Sequence, residues 1–267
     1  MPNAKIAIKK EKKQYIKELG REVTVSKLAQ YYIADTSKDF HCTDGIIIKS
    51  DLAKESSSAK SSKGKEYAIF SASFTDDYRR IKRLAQIIPL KDIAAIMVGT
   101  GVGPESKVID SGTGSGAVSL FLARHVKEVI TYDINDEHIE IAKENAKELG
   151  ITNISFNKGD IKDGIKEKDA DLFVLDIPEP WAAINTLDKA LKIGGFVVSY
   201  SPTIPQVADF VNAIKDLEQF MHIKTIEILE RKWEIDGRKV RPKGQEIGHS
   251  GFLTFVRKIR SVGEQDE

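Results

Sequence analysis

Cysteine is nearly absent from this chain, since Cys42 is the only one among 267 residues. A single cysteine cannot form a disulfide within the chain, which excludes a small disulfide-stapled fold and fits a reducing cytoplasm. His41 lies beside it in sequence, but no second pair of metal ligands is close by. The sequence therefore predicts no metal site at this position.

Long apolar runs and a strong net charge are also missing. No apolar segment approaches the length of a membrane span, and the basic N-terminus lacks an apolar signal region, so we expect neither. The net charge is only +1, so nucleic acid would have to be held by local basic patches. With 41% hydrophobic and 30% charged residues, the composition is typical of a soluble globular protein with a sizeable core.

The first 74 residues fall into two parts by composition. Residues 1–21 are rich in lysine, and we interpret them as a basic, partly disordered extension; the alternative is an arm that touches RNA phosphates. Residues 22–74 contain short β-prone runs separated by polar stretches such as residues 56–65, which predict loops and a small β domain. A helix is expected over Tyr78–Ile88. Its basic residues are either a solvated face or phosphate contacts at the domain junction.

Residues 75–267 are organised around one glycine-rich stretch. A short apolar strand ends at Asp110, and glycines follow at alternate positions before a helix that runs from Ala117 to Arg124. Glycine lets a ligand approach the backbone, and a helix N-terminus attracts anionic groups. The stretch fits the dinucleotide fingerprint, with Asp133 as the ribose-binding acid, and equally the acid-x-Gly-x-Gly-x-Gly pattern of S-adenosylmethionine sites. An ordinary glycine turn is the third possibility.

Strands and helices alternate after Val108, which predicts a doubly wound parallel sheet with helices on both faces. Four of the expected strands end in an acid, namely Asp110, Asp133, Asp160 and Asp176. Ligands of open α/β sheets bind at the carboxyl ends of the strands. After Met221 two β-rich runs predict a closing antiparallel pair, whereas a typical dinucleotide domain keeps the alternation.

Two later motifs carry a resemblance to a known family. Leu175-Asp176-Ile177-Pro178-Glu179-Pro180-Trp181 resembles the (Asp/Asn)-Pro-Pro-aromatic motif of methyltransferases that act on amino groups or ring nitrogens of bases. From about Gly45 to Ile259 the chain is similar to the tRNA (adenine-N1)-methyltransferases of the archaeal and bacterial type. The further matching segments are Gln86-Ile87-Ile88, Lys91-Asp92, Arg231-x-Trp233, Val240-Arg241-Pro242 and Gly248-His249-Ser250-Gly251-Phe252-Leu253.

The resemblance implies a class I S-adenosylmethionine-dependent methyltransferase domain, a small N-terminal β domain and a homotetramer that methylates N1 of a T-loop adenosine in tRNA. It implies that Asp176 is the catalytic residue beside the reacting methyl group. The motif and the resemblance together give these cofactor-binding residues: Ile88, Asp110, Gly112, Gly114, Ser115, Gly116, Ala117, Asp133, His138, Asp160, Ile161 and Asp176. The expected tRNA-binding residues are Arg79, Arg80, Lys82, Trp181, Arg231, Arg241 and His249.

The chain departs from the family pattern at two places. Pro89-Leu90 replaces a Tyr-Pro pair, and Ser250 replaces a threonine. The lost aromatic ring would leave base stacking to Trp181 or Tyr78. Three other functions stay open on the sequence: a methyltransferase for a small molecule or a protein, an NAD-dependent oxidoreductase, and a non-catalytic RNA-binding subunit.

Overall fold

The computed structural model describes residues 4–84, 86–244 and 248–261. Contacts divide the chain into two compact units. The first runs to Ile81 and includes Glu148–Gly150, and the second contains Lys82–Lys147 and the chain from Ile151 onward. The boundary therefore lies after Ile81, somewhat later in the chain than the position predicted from composition.

The first unit is built almost entirely from short strands. A four-stranded antiparallel sheet has the order β4-β1-β8-β7, and two further hairpins pair β2 with β3 and β5 with β6. Its elements are β1 (Lys5–Lys9), β2 (Lys12–Ile16), β3 (Arg21–Ser26), β4 (Ala29–Ile33), β5 (Phe40–Cys42), β6 (Gly45–Ile47), α1 (Lys49–Leu52), β7 (Ser56–Lys60), β8 (Glu66–Ser71) and α2 (Phe74–Tyr78).

The predicted basic extension is wrong for residues 4–21, while residues 1–3 lie outside the described chain. Strand β1 is an interior strand between β4 and β8, and Ile6 and Ala7 are buried in its centre. Even Lys5 is buried, because its ammonium group donates to the carbonyls of Lys54 and Glu55. Because lysines occupy both ends of β1, the short apolar centre of the strand was not recognised from the sequence.

The predicted loop over residues 56–65 is also only partly correct. Ser56–Lys60 forms β7, which pairs with β8 along one side only, as the last strand of the sheet. An edge strand is held by main-chain hydrogen bonds and needs few apolar side chains, so its serine-rich composition was misleading.

The helix predicted over Tyr78–Ile88 is wrong as well. Helix α2 begins earlier, because Ser73 and Asp76 form a reciprocal capping box, and it ends at Tyr78. The main chain of Lys82 then bonds to a side chain on another helix instead of continuing its own. Pro89 caps the next helix rather than interrupting the expected one.

Among the residues described, the second unit contains a seven-stranded sheet, five α-helices and one separate hairpin. Its elements are α3 (Leu90–Thr100), β9 (Lys107–Ser111), α4 (Ala117–Ala123), β10 (Glu128–Asp133), α5 (Asp136–Leu149), β11 (Ile154–Lys158), β12 (Ala170–Leu175), α6 (Ile184–Ala190), β13 (Leu191–Ser201), α7 (Ile204–Lys215), β14 (Phe220–Glu227), β15 (Trp233–Asp236), β16 (Lys239–Pro242) and β17 (Phe252–Lys258).

The order of the large sheet is β11-β10-β9-β12-β13-β17-β14. The first five strands are parallel, and β17 inserts antiparallel between β13 and β14, which confirms the predicted closing pair. From β9 the chain first moves outward through β10 to β11 and then returns to the other side of β9 as β12. Right-handed crossovers in opposite directions place helices on both faces of the sheet. This is the doubly wound arrangement of class I methyltransferases.

The sheet is covered by a contiguous apolar core. Its fully buried members include Phe173 on β12, Phe210 on α7 and Val256 on β17. No helix within the described ranges is long and apolar enough to cross a membrane.

Candidate active site

The point at which the strand order reverses lies between β9 and β12. Gly112 follows β9 and Asp176 follows β12, and the two segments are hydrogen bonded through their main chains. The N–H of Asp176 donates to the carbonyl of Ser111 at 2.5 Å, and the N–H of Gly112 donates to the carbonyl of Asp176 at 3.2 Å. Ligands of open α/β sheets bind at such a switch point. The backbone thus fixes Asp176 directly beside residues 112–116, which we call the glycine loop.

The glycine loop needs its glycines for conformation and for space. Gly114 and Gly116 have φ values of 52° and 80°, where a side chain would strain the backbone. A Cβ on Gly116 would lie 2.9 Å from a methyl group of Leu120 on α4 and 3.1 Å from the Cβ of Ala142 on α5, so a side chain would disturb the packing between the two helices. Helix α4 begins directly after Gly116 with no side-chain cap. Such a helix start favours an anionic ligand group.

Asp133 ends β10 and organises the next part of the site. One carboxylate oxygen accepts from the N–H of Gly114 at 2.9 Å, and the other accepts from the N–H of Asn135 at 2.9 Å. The Nδ1 atom of His138 lies 3.2 Å from the same carboxylate. The structure therefore brings Asp133, His138 and the loop together, as the sequence predicted. A carboxylate oriented in this way can accept hydrogen bonds from ribose hydroxyls.

Asp110 lies on β9, in the segment that leads into the glycine loop, and is buried. It is 1% exposed, and its carboxyl group accepts hydrogen bonds from Ser119 and Thr131. Loss of hydration raises the pKa of Asp110 to about 7, and the charges of Asp176 and Asp133 add to the shift. The other oxygen of Asp110 has no partner among the described residues. These contacts suit a residue that supports the loop from below.

The residues expected at the adenine lie beyond β11. Asp160 caps a short 3-10 helix by accepting from the N–H of Lys162 at 3.0 Å, which leaves its carboxylate half exposed. Ile161 is buried, and its carbonyl accepts from Thr186 at 2.6 Å. Ile88, in the segment before α3, is also buried.

Asp176 is exposed to solvent at the end of β12. The loss of hydration on the protein side raises the pKa of its carboxyl group to about 6. The group is therefore mostly a carboxylate at neutral pH and can still take up a proton within the physiological range. Asp176 is therefore a candidate for a catalytic carboxylate.

A buried polar network lies on the same unit and involves the position where serine replaces threonine. The ammonium of Lys91 donates to both oxygens of Asp92 at 2.8 and 2.9 Å and to Ser250 at 2.6 Å. Ser250 donates to Asp92 at 2.9 Å, and the hydroxyl of Tyr200 donates to the carbonyl of Ser250 at 2.5 Å. Ser250 thus keeps every hydrogen bond that a threonine hydroxyl could make. A Cβ on Gly251 would lie 2.4 Å from the Tyr200 ring, which explains the glycine there.

Sequence reasoning missed Asn145 on α5. Its side chain is completely buried and makes three hydrogen bonds of 2.9 Å: to the N–H and the carbonyl of Lys82 and to the carbonyl of Ser115. The only signal in the sequence was a polar residue directly before Ala146, among the apolar positions Ile139, Ala142, Ala146 and Leu149. That pattern does not predict which main-chain groups the Asn145 side chain bonds to.

Two expected tRNA contacts, Arg79 and Arg80, belong to the first unit. Both are exposed, and the guanidinium of Arg80 lies 5.1 Å from the centre of the Tyr32 ring. Lys82 belongs to the second unit and pairs with Glu144 at 2.7 Å, with both side chains more than half exposed. Tyr78 is 1% exposed and packs on Phe74, so it offers no open face to a base.

The other expected tRNA contacts are spread over the second unit. Trp181 packs partly into the apolar core. Arg231 precedes the β15–β16 hairpin, and Arg241 on that hairpin donates to Glu234 at 2.7 Å. His249 lies 2.6 Å from Glu227 and 2.8 Å from the carbonyl of Pro202, and the Glu227 carboxylate raises its pKa.

Comparison with known proteins identifies the family. The profile of the family described as "tRNA methyltransferase complex GCD14 subunit" matches residues 79–244. The tRNA (adenine(57)-N(1)/adenine(58)-N(1))-methyltransferase TrmI of Methanocaldococcus jannaschii is 33% identical over 258 residues, covering 85% of this chain and 91% of that protein. The chain belongs to the tRNA (adenine-N1)-methyltransferase family. The resemblance stated from the motifs is thereby confirmed.

Solved structures agree on the fold of this family member. A SAM-dependent O-methyltransferase from Thermotoga maritima superimposes with a TM-score of 0.79 at 27% identity, covering 100% of this chain and 96% of that one. The tRNA (m1A58) methyltransferase TrmI of Aquifex aeolicus gives 0.77 at 22% identity, covering 97% and 98% of the two chains. The class I methyltransferase fold with an N-terminal β domain is confirmed. No group of three or more potential metal ligands occurs among the residues described.

Proposed function

We propose that the protein transfers a methyl group from S-adenosylmethionine to N1 of a T-loop adenosine in tRNA. The observation that carries the proposal is the main-chain pairing of Asp176 with Ser111 and Gly112, which holds a carboxylate beside the glycine loop at the switch point of the sheet. Family membership supports the substrate. The donor set fits the cofactor: Asp133 can hold the ribose, the N-terminus of α4 the methionine carboxylate, and Asp160 with Ile161 the adenine.

Asp176 supplies the chemistry that the protein itself contributes. S-adenosylmethionine, when bound, provides an already activated methyl group, so alignment is the main requirement. Adenine N1 becomes part of a cationic ring on methylation. The Asp176 carboxylate can accept the hydrogen bond of the N6 amino group, stabilise the developing positive charge and then take up a proton. Its raised pKa of about 6 suits the last of these steps. The target adenosine must leave the base stack to reach the site.

Basic residues at one end of the first sheet are a candidate second tRNA contact. We define the lysine surface as Lys9, Lys10, Lys12, Lys27 and Lys65. They line two adjoining concavities of about 570 and 460 Å³ that share Lys9 and Lys65. The two acids of the concavities are engaged, since Asp44 pairs with Lys9 and Glu66 lies 3.5 Å from Lys60. The remaining positive charge favours a phosphate backbone. On this view the first unit binds tRNA, the second is catalytic, and the protein acts in the cytoplasm with its tRNA.

The β15–β16 hairpin supports assembly into a homo-oligomer, for which the family resemblance implies a tetramer. Cross-strand pairing places Trp233 opposite Pro242 and Ile235 opposite Val240, so all four share one face. Trp233, Ile235 and Val240 are 51%, 73% and 55% exposed. On the other face of the hairpin, Glu234 and Arg241 form an ion pair. A lone two-stranded ribbon with a bare apolar face is marginal in water, and a second copy of the chain would cover it.

Methyl transfer to unmodified tRNA, followed by mapping of the modified base, tests the proposal. N1-methyladenosine at a T-loop position is the expected product. Modification of a ribose oxygen or of a non-RNA substrate would instead point to the O-methyltransferase activity named for the Thermotoga structure. Calorimetry with S-adenosylmethionine and with NAD decides between a methyltransferase and an oxidoreductase. An inactive protein that still binds tRNA would favour a non-catalytic RNA-binding subunit.

A further inference from the structure

The segment Lys82–Leu84 lies against the glycine loop although neither belongs to a helix or strand. Three main-chain groups of the segment form hydrogen bonds with side chains of the loop and of α5. The N–H and the carbonyl of Lys82 bond to Asn145, both at 2.9 Å, and the N–H of Leu84 donates to the hydroxyl of Ser115 at 3.0 Å. We call residues 82–84 the strap.

Asn145 contacts both sides of this junction. Besides the two bonds to Lys82, its amide donates to the carbonyl of Ser115 at 2.9 Å, and the side chain is 0% exposed. Ser115 lies between Gly114 and Gly116, which both have positive φ. The two flanking glycines leave the loop many accessible backbone conformations, so bonds from outside the loop help to select one of them. An asparagine is suited to this, because one amide can mimic a paired peptide group with its acceptor and its two donors.

We propose that Asn145 is a positioning residue for the cofactor site. It fixes the Ser115 peptide and the strap as one unit, so that the loop is ordered before S-adenosylmethionine binds. This inference rests on the proposed function, because it takes the glycine loop that contains Ser115 to be part of the S-adenosylmethionine site. Lys82–Glu144, an exposed ion pair on the same strap, contributes little by comparison.

Asn153 offers a matched control on the same unit. Its amide donates to the carbonyls of Ala123, Val126 and Lys127 at 2.8, 3.0 and 3.1 Å, so it also makes three side-chain bonds to the main chain. These bonds lie at the amino ends of β10 and β11, the edge of the sheet opposite the site. Asn145→Ala and Asn153→Ala both remove three hydrogen bonds, and only the first should change the cofactor site.

Calorimetric binding of S-adenosylmethionine to the full chain without tRNA, below the melting transition of every variant, tests the inference. Asn145→Ala should raise the dissociation constant about 10-fold or more, and Asn153→Ala should leave it within 2-fold, even where both lower Tm alike. Ser115→Ala, which removes only the Leu84 bond, should raise it less, and the double variant Asn145→Ala/Ser115→Ala should show a non-additive effect.

Hydrogen exchange in the absence of ligand gives a second readout that does not depend on the cofactor. The N–H groups of Lys82 and Leu84 should lose protection in Asn145→Ala and keep it in Asn153→Ala. A wild-type protein that binds no S-adenosylmethionine would reject the proposed function and this inference with it. A wild-type protein that binds it, together with unchanged affinity in Asn145→Ala or equal losses in the two asparagine variants, would overturn the inference alone.

Discussion

Asp133 accepts a hydrogen bond from the main-chain N–H of Gly114 at 2.9 Å, and so joins the end of β10 to the glycine loop that follows β9. The two strands are neighbours in the sheet, so the bond closes the loop over the carboxyl edge. The same carboxylate accepts from Asn135, the residue before α5. One acid therefore fixes the loop and the start of the helix and still offers oxygen lone pairs to a ligand.

Replacing Asp133 should weaken cofactor binding. In Asp133→Ala the ribose hydroxyls lose charge-assisted acceptors worth roughly 1.5–3 kcal/mol, so we expect the dissociation constant of S-adenosylmethionine to rise about 10- to 100-fold. Calorimetry measures this directly. Asp136→Ala is the matched control, because this exposed acid begins α5 and pairs with Lys158 instead. Equal affinities in wild type and Asp133→Ala would remove Asp133 from the site.

The organisation of the second unit could be predicted from the sequence because its signals are local. Glycines at alternate positions and acids at strand ends mark the loop and its neighbours, and the reversal of strand order follows from the alternation of strands and helices. The first unit was harder to predict. Strand β1 is five residues long with lysine at both ends. Because its segment is rich in lysine, the sequence predicted an extension and not a strand that pairs with β4 and β8. The strap was missed because the hydrogen bonds that hold it join residues 31 and 63 positions apart.

The lysine surface should contribute to tRNA affinity through salt-dependent contacts. Replacing Lys10, Lys12, Lys27 and Lys65 by glutamine should weaken tRNA binding and reduce the slope of log K against log salt by roughly 0.7–0.9 per lost phosphate contact. Affinity for S-adenosylmethionine should not change. Lys38→Gln with Lys54→Gln is the control, since both are exposed lysines of the same unit that pair with nearby acids. A salt slope equal to that of wild type would show that the lysines are merely solvated.

The apolar face of the β15–β16 hairpin should govern assembly. Trp233→Ser with Ile235→Ser removes the two largest exposed side chains of that face and should shift the protein to smaller species in sedimentation velocity. Val98→Ser is the control, because this residue on α3 is 86% exposed and lies outside the hairpin. A wild-type monomer, or a double variant with the mass of wild type, would show that this apolar face does not mediate assembly.

The pH dependence of methyl transfer should report on Asp176. Its folded-state pKa is raised to about 6 by lost hydration. The carboxylate is the form that stabilises a cationic adenine, so turnover should fall as the pH drops through about 6.

The contribution of Asp176 to the free energy of unfolding should change in the opposite direction with pH. Because the pKa is raised above its ordinary value of 3.8, the neutral form is favoured in the folded state, and that contribution is lost as the pH rises through about 6.

Asp176→Asn separates a catalytic role from a structural one. Asparagine preserves the shape of the side chain, and the bonds to Ser111 and Gly112 use only the main chain, so the loop should keep its geometry. What disappears is the negative charge. If that charge stabilises the methylated ring, turnover on tRNA should fall by roughly 10²-fold or more, the scale of a lost general base or electrostatic stabiliser. The acid limb of the pH profile should vanish with it, while tRNA binding and Tm stay close to wild type. Glu179→Gln is a suitable control, because this exposed acid of the same segment pairs with Lys162. Wild-type turnover in Asp176→Asn, or a variant that unfolds, would show that the carboxylate serves the fold and not the reaction.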